Sequence, residues 1–240
     1  MLSQRSSLRR EFMKVTIILT IAILCILGSA CLAATDDFVK DFSYEKADLA
    51  STGSNPHFIL EPGFQLVYKS DTGDLVITVL NETKMVDGVV TRIIEEREKE
   101  NGKLIEVSRN YFAISKEDNS VYYFGEEVDM YNKQGKITGH GGSWLAGVKG
   151  AKAGMAIPGD PKVGMKYYQE VAPGDAMDRA EIVSLTETVK TPAGLMKNVV
   201  KTMETTPLEP GTKEYKYYVK GVGLIKDGDM LLVKHGYIKK

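Results

Sequence analysis

From residue 58 onward the chain is written in short runs of alternating apolar and polar residues, interrupted near every tenth position by turn formers. Such alternation has the period of a half-buried strand. Runs at 64–68 and 75–79 flank Asp71-Thr-Gly-Asp74, a hairpin signal, and Val86-Asp-Gly-Val89 marks another tight turn. Strands are predicted next at 89–98, 104–114, 121–124 and 128–131, with breaks at Asn101-Gly102, Glu117-Asp-Asn119 and Asn132-Lys-Gln-Gly135. The C-terminal half continues with 165–171, 180–187, 199–205, 214–220 and 230–234. Turns at this spacing predict an antiparallel meander.

In Glu214-Tyr-Lys-Tyr-Tyr-Val-Lys220 charged residues alternate with Tyr215, Tyr217 and Val219, while Tyr218 departs from the pattern. Alternation of this kind gives a sheet one buried and one wet face. It argues against a parallel sheet covered on both sides. The predicted fold is therefore all-β, an antiparallel meander curved into a half-barrel or barrel after an N-terminal signal segment. Pro62-Gly63, Pro158-Gly159, Pro173-Gly174 and Pro210-Gly211 each carry the chemistry of a type II turn, a fixed φ followed by a positive one. The pattern lapses at 136–164, which is glycine-rich and holds the only tryptophan, Trp144. It reads as an ordered loop packed across the mouth of the sheet. Residues 35–57 read as an N-terminal linker with a short helix at 38–49, and 58–240 as a single β-rich domain.

The first 34 residues read as an address. Lys14 precedes an apolar run from Val15 to Leu27 and then small residues, the order of a secretory signal peptide. Arg9-Arg10-Glu11-Phe12-Met13-Lys14 resembles the twin-arginine export motif if translation starts at Met1, whereas a start at Met13 leaves an ordinary Sec signal. Cleavage after Ala33, acylation at Cys31 as a lipoprotein, and retention as a membrane anchor are the alternatives for the mature end. All of them place the working domain outside the cytoplasm: periplasmic, extracellular or envelope-associated.

That segment changes how composition is read. It holds both cysteines, Cys25 and Cys31, so no disulfide, thiolate metal site or cysteine nucleophile is available to the remaining 206 residues. It also holds four basic residues against Glu11, so the full-length net charge of −1 becomes about −4 without it. Nucleic-acid binding through phosphate neutralisation is thereby disfavoured. With no second long apolar run, the membrane is met only through the N-terminal segment.

Candidate chemistry is sparse. Gly139-His-Gly-Gly-Ser-Trp144 superficially matches an esterase oxyanion loop, but no Gly-x-Ser-x-Gly elbow accompanies it. His57, His140 and His235 lack metal-ligand spacing. Two acidic groups, Glu126-Glu127-Asp129 and Asp175-Asp178-Glu181, suit calcium by ligand type but not by spacing, and both also read as solvated faces. No metal or cofactor is therefore expected. The doublets Tyr122-Tyr123, Tyr167-Tyr168 and Tyr217-Tyr218 each send one ring to either face of a strand. They read either as ordinary packing aromatics or as a tyrosine-lined concave face suited to an amphipathic ligand. On the second reading the candidate ligand-binding residues are His140, Trp144, Tyr123, Tyr168, Glu170, Asp178 and Tyr217.

Five motifs occur in order: Val121-Tyr-Tyr-Phe-Gly-Glu126, Gly142-Ser-Trp-Leu-Ala-Gly147, Pro161-Lys-Val-Gly-Met-Lys-Tyr-Tyr-Gln-Glu170, Thr206-Pro-Leu-Glu-Pro-Gly211 and Glu214-Tyr-Lys-Tyr-Tyr-Val-Lys-Gly-Val-Gly-Leu-Ile225. Together they resemble an uncharacterised group of exported prokaryotic β-rich proteins over roughly residues 60–235. In shape, the closing motif is similar to the last strands of lipoprotein-carrier (LolA- and LolB-like) half-barrels. That likeness implies a curved sheet with a hydrophobic cavity and transfers no functional residue. The leading expectation is a non-enzymatic extracytoplasmic protein holding a lipid or other amphipathic small molecule on its concave face. The alternatives are a structural or interaction domain of the cell envelope, and a small exported enzyme using His140 with Asp178 or Glu170.

Overall fold

Two-residue hairpins set the architecture. In the computed structural model, which describes residues 37–238, Asp87-Gly88 and Asn101-Gly102 both take positive φ (49° and 77°, 50° and 75°). Positive φ at both corners is the type I′ geometry that matches the right-handed twist of paired strands. Three very short strands come first: β1 (Leu49–Ala50), β2 (Ser54–Asn55) and β3 (Phe58–Ile59). Five long ones follow as a meander: β4 (Phe64–Lys69), β5 (Gly73–Val86), β6 (Val89–Glu100), β7 (Lys103–Ser115) and β8 (Val121–Tyr131). Then come β9 (Ile137–Gly139), β10 (Trp144–Leu145), β11 (Lys152–Ile157), β12 (Lys166–Tyr168) and β13 (Glu170–Val171). A second meander closes the chain: β14 (Arg179–Thr191), β15 (Gly194–Thr205), β16 (Glu214–Val219), β17 (Gly223–Asp227) and β18 (Met230–Tyr237).

The two meanders join where β18 pairs antiparallel with β4, Leu232 opposite Tyr68 and Tyr237 opposite Phe64. The result is a thirteen-strand antiparallel path curved into a nearly closed barrel. Its two ends are almost contiguous in sequence. β12 pairs with β14, β13 pairs with β11, and only Gln169 separates β12 from β13. The segment 166–171 thus ties the first strand of the path to the last, so neither end is left as a long open edge. Gly154 makes the seam possible, because a Cβ there would overlap the Gln169 carbonyl.

The export segment and Cys31 lie outside the described residues. Residues 38–57 pack on the outside of the sheet in mostly extended form. Phe38 packs on Tyr168, Phe42 and Tyr44 on Tyr122, and Leu49 pairs with Ser115. The helix expected at 38–49 is not formed beyond one 3-10 turn at Lys46–Asp48. Spreading these aromatics along the barrel wall needs a longer reach than 1.5 Å per residue gives. The buried Arg92 guanidinium holds this segment down, donating to the Ser51 carbonyl, the Thr52 hydroxyl and the Asn81 carbonyl. Among the described residues no helix is long and apolar enough to cross a membrane.

Three of the four Pro-Gly corners behave as type II chemistry requires, with φ of 85°, 87° and 94° at Gly63, Gly174 and Gly211. Gly159 does not, and it serves a different purpose. A Cβ on it would overlap the Asp118 carbonyl oxygen, while its N–H donates to Ser120 Oγ at 3.1 Å. The buried Asn55 amide bridges the same two loops, donating to the Asn119 and Pro158 carbonyls at 2.8 and 3.0 Å. Gly159→Ala is therefore expected to lose about 3 kcal/mol of stability, because backbone cannot yield as a side chain can. Gly102→Ala, where a Cβ meets open space and only φ is strained, is expected to lose about 1 kcal/mol. Urea denaturation of the two variants checks the order, and equal losses would show that the contact at Gly159 is not the constraint.

Candidate ligand-binding site

A bulge and a glycine build the site. Register across β7 and β8 runs Asn110 opposite Glu126, Tyr111 opposite Gly125, then Phe112 opposite Tyr123, which leaves Phe124 as the extra residue. In a regular strand residues three apart face opposite ways; the extra residue puts Tyr123 and Glu126 on the same, inward face. At Gly125 the φ is +135°, and a Cβ would overlap the Trp144 carbonyl oxygen. The glycine lets β10 lie close enough to pair Trp144 with Glu126 and Leu145 with Gly125. The segment expected to form a loop over the mouth instead runs as β9, β10 and β11 along one edge of β8. Trp144 is consequently a buried wall residue, 5% exposed.

Aromatic rings form a continuous wall here. Phe58 meets Phe112 at 5.0 Å, Phe112 stacks on Tyr123 at 4.6 Å, and Tyr123 meets Trp144 edge-on at 5.3 Å. The Tyr123 hydroxyl donates to Asn110 Oδ1 at 2.6 Å, and the Asn110 amide donates to Ser108 Oγ at 3.2 Å, so the ring is fixed at both ends. Against this wall lie two carboxyl groups, Glu126 and Glu170, each 4% exposed. Burial, and then the neighbouring Glu170, push the Glu126 carboxyl well above the usual carboxylate range. Burial, and then the charge of Asp178, raise Glu170 to about 7. The Trp144 indole N–H beside Glu170 favours its charged form without reaching hydrogen-bond geometry. Glu126 Oε2, Glu170 Oε2 and Trp144 Nε1 make no hydrogen bond among the described residues. Buried polar atoms are normally satisfied, and each exception calls for an explanation.

A second acidic group on the inner face, Glu204 with Asp227, is neutralised. Lys216 Nζ lies 2.8 Å from Glu204 Oε2, and Lys216 sits opposite Asp227 in the sheet. Burial works to lower the Lys216 pKa, yet Glu204 and Asp227 hold it well above the ordinary lysine value. Gln169 at the seam donates to Glu204 Oε1 at 3.2 Å. Lys216 is felt at Glu170 as well, but more weakly than Asp178 is. No ion pair reaches Glu126 among the described residues.

Of the residues singled out from sequence, Trp144, Tyr123, Glu170 and Asp178 come together. Burial and then the charges of Glu126, Glu170, Glu96 and Asp178 all raise the Tyr123 hydroxyl pKa. Tyr168 and Tyr217 do not join them. Tyr168 is on the outer side against Phe38 and Arg179, and Tyr217 lies under Lys201 and Lys226. The inward rings of those doublets are Tyr167 and Tyr218, both buried. The inward face of β16 is the charged one, carrying Glu214, Lys216 and Tyr218, so alternation alone assigned the faces the wrong way round. His140 is 65% exposed, with Nδ1 at 2.8 Å from the Val128 carbonyl oxygen and 3.1 Å from Asp129 Oδ1, and is not paired with Asp178 or Glu170.

The acidic runs are also split. Glu126 points inward, whereas Glu127 pairs with Lys84 at 2.5 Å and Asp129 with Arg109 at 3.3 Å on the outside. Among the described residues no three histidine, cysteine or acidic side chains are grouped to hold a metal ion. Sequence reasoning did not single out Asn110, Lys216, Glu204 or Asp227 as site residues. The one available signal was a lysine set between tyrosines inside a strand. Compared with protein-family models, with curated proteins and with solved structures, the chain matches none.

Proposed function

We propose that this is an exported, non-enzymatic binding protein that holds an amphipathic small molecule on the inner face of its barrel. One observation carries the reading: a wall of Phe112, Tyr123 and Trp144 stands beside buried polar atoms that the protein leaves without hydrogen bonds. An apolar wall with a few convergent polar groups is the usual composition of a small-molecule site. The order of an export signal at the N-terminus and the resemblance to exported β-rich proteins support the extracytoplasmic setting.

Trp144 is the only tryptophan, so selectively excited emission reports on the site alone. Amphiphiles added below their micelle concentrations are expected to shift Trp144 emission saturably with one molecule bound per chain. Native mass spectrometry of protein purified from its own host is expected to show a retained small molecule. An unchanged spectrum with every amphiphile, together with ligand-free protein from the host, would rule the reading out.

A further inference from the structure

We infer that the polar end of the ligand is a cation, a protonated amine or quaternary ammonium carried on an apolar body. This rests on the binding reading above and narrows it to a chemical class. Glu126 and Glu170 are more than nine-tenths buried, close enough for one to act on the other, and each has a carboxyl oxygen without a hydrogen bond. Two buried carboxyl groups facing one another repel when ionised, unless a positive group sits between them. Among the described residues such a group sits beside Glu204 and Asp227, where Lys216 meets them, and none forms an ion pair with Glu126.

The surroundings select the same charge. Tyr123 and Trp144 border the carboxyl pair, and aromatic faces attract ammonium groups, most strongly when water is excluded. Among the described residues Glu96 and Glu106 act on Glu126, and Asp178 acts on Glu170 more strongly than Lys216 does, so these neighbours repel a carboxylate or phosphate. A neutral alcohol gains the aromatic wall but leaves the carboxyl pair uncompensated. A metal ion uses the carboxylates but gains nothing from the rings, and no third acidic or histidine ligand is grouped with them among the described residues.

The test is a matched set of single-chain probes read by Trp144 emission: decylamine, decyltrimethylammonium, decanol and decanoate, with calcium chloride alone as a further arm. In mildly alkaline buffer the two cations are expected to bind at least about tenfold tighter than decanol, as charge-assisted contacts exceed neutral ones, and decanoate is expected not to bind. In the double variant Glu126→Gln, Glu170→Gln the cation preference is expected to vanish, the two cations binding no more tightly than decanol does to the same variant. Circular dichroism and the retained Trp144 emission maximum confirm that this variant folds. Cation binding is also expected to weaken as pH falls below about 7, where Glu170 takes up its proton. Among the described residues, the charged groups that act on the pair are Glu96, Glu106, Asp178 and Lys216. Decanol binding as tightly as the amines would overturn the cation assignment and leave the binding reading standing. Saturable binding of calcium alone would overturn it as well. Silence from all the organic probes would count against the binding reading itself.

Discussion

Lys216→Met is expected to destabilise the protein by about 3–5 kcal/mol near neutral pH, the usual loss when one partner of a buried ion pair is removed. The reason lies in what remains. Glu204 and Asp227 are buried, and in the wild type both act on the Lys216 ammonium, with Glu204 Oε2 at 2.8 Å. Methionine fills a similar volume and leaves two carboxylates with no cation between them. In a domain of this size the loss corresponds to a fall in Tm on the order of 10 °C. It should be partly repaired in the double variant Lys216→Met, Glu204→Gln, which removes one stranded charge. Thermal melts of the three proteins near neutral pH make the measurement. A single variant within about 1 kcal/mol of wild type, below the range for broken buried pairs, would show that the carboxylates reach water and that the inner face around Lys216 is not closed.

The turns were legible because their cause is local. Asp87-Gly88 and Asn101-Gly102 fold as two-residue hairpins for reasons contained in those dipeptides, and the two meanders follow from them. Alternation also put the rings of Tyr122 and Tyr123 on opposite faces. What alternation does not contain is which face becomes the inside. In β16 the eye takes Tyr215 and Tyr217 as the buried set, yet the curved sheet encloses Glu214, Lys216 and Tyr218, because the charges there find partners on β15 and β17.

The site has the same difficulty. Glu126 turns inward only because Phe124 is an extra residue, and that bulge depends on how β7, β8 and β10 meet. Gly159 looked like a turn glycine and is instead a point of contact with a loop some forty residues earlier in sequence. Trp144 stood out from composition alone. Its neighbour Glu170 lies beyond β11, brought back by the one-residue seam between β12 and β13.

Glu170→Gln is expected to stabilise the ligand-free protein in mildly alkaline buffer by about 3 kcal/mol, at 1.36 kcal/mol per pKa unit, and to leave its stability unchanged in mild acid. The ordinary glutamate value of 4.5 is raised to about 7 in the folded chain, chiefly by burial and then by Asp178. Between those two pH values the folded state holds a proton that the unfolded chain has released. Stability therefore falls as pH rises from about 4.5 to about 7, and it levels off above that range. Glutamine imitates the protonated form at every pH, so the variant lacks this fall. Other titrating groups contribute equally to both proteins, and the difference between their urea-denaturation profiles isolates Glu170. A variant that is less stable than wild type by the same amount at both ends would mean that the Glu170 carboxylate is well solvated by its neighbours. Binding should reverse the order: decyltrimethylammonium is expected to stabilise the wild type more than Glu170→Gln, because only the ionised carboxyl gains from it. A group that weakens the empty barrel and strengthens the filled one ties the stability of this fold to its ligand.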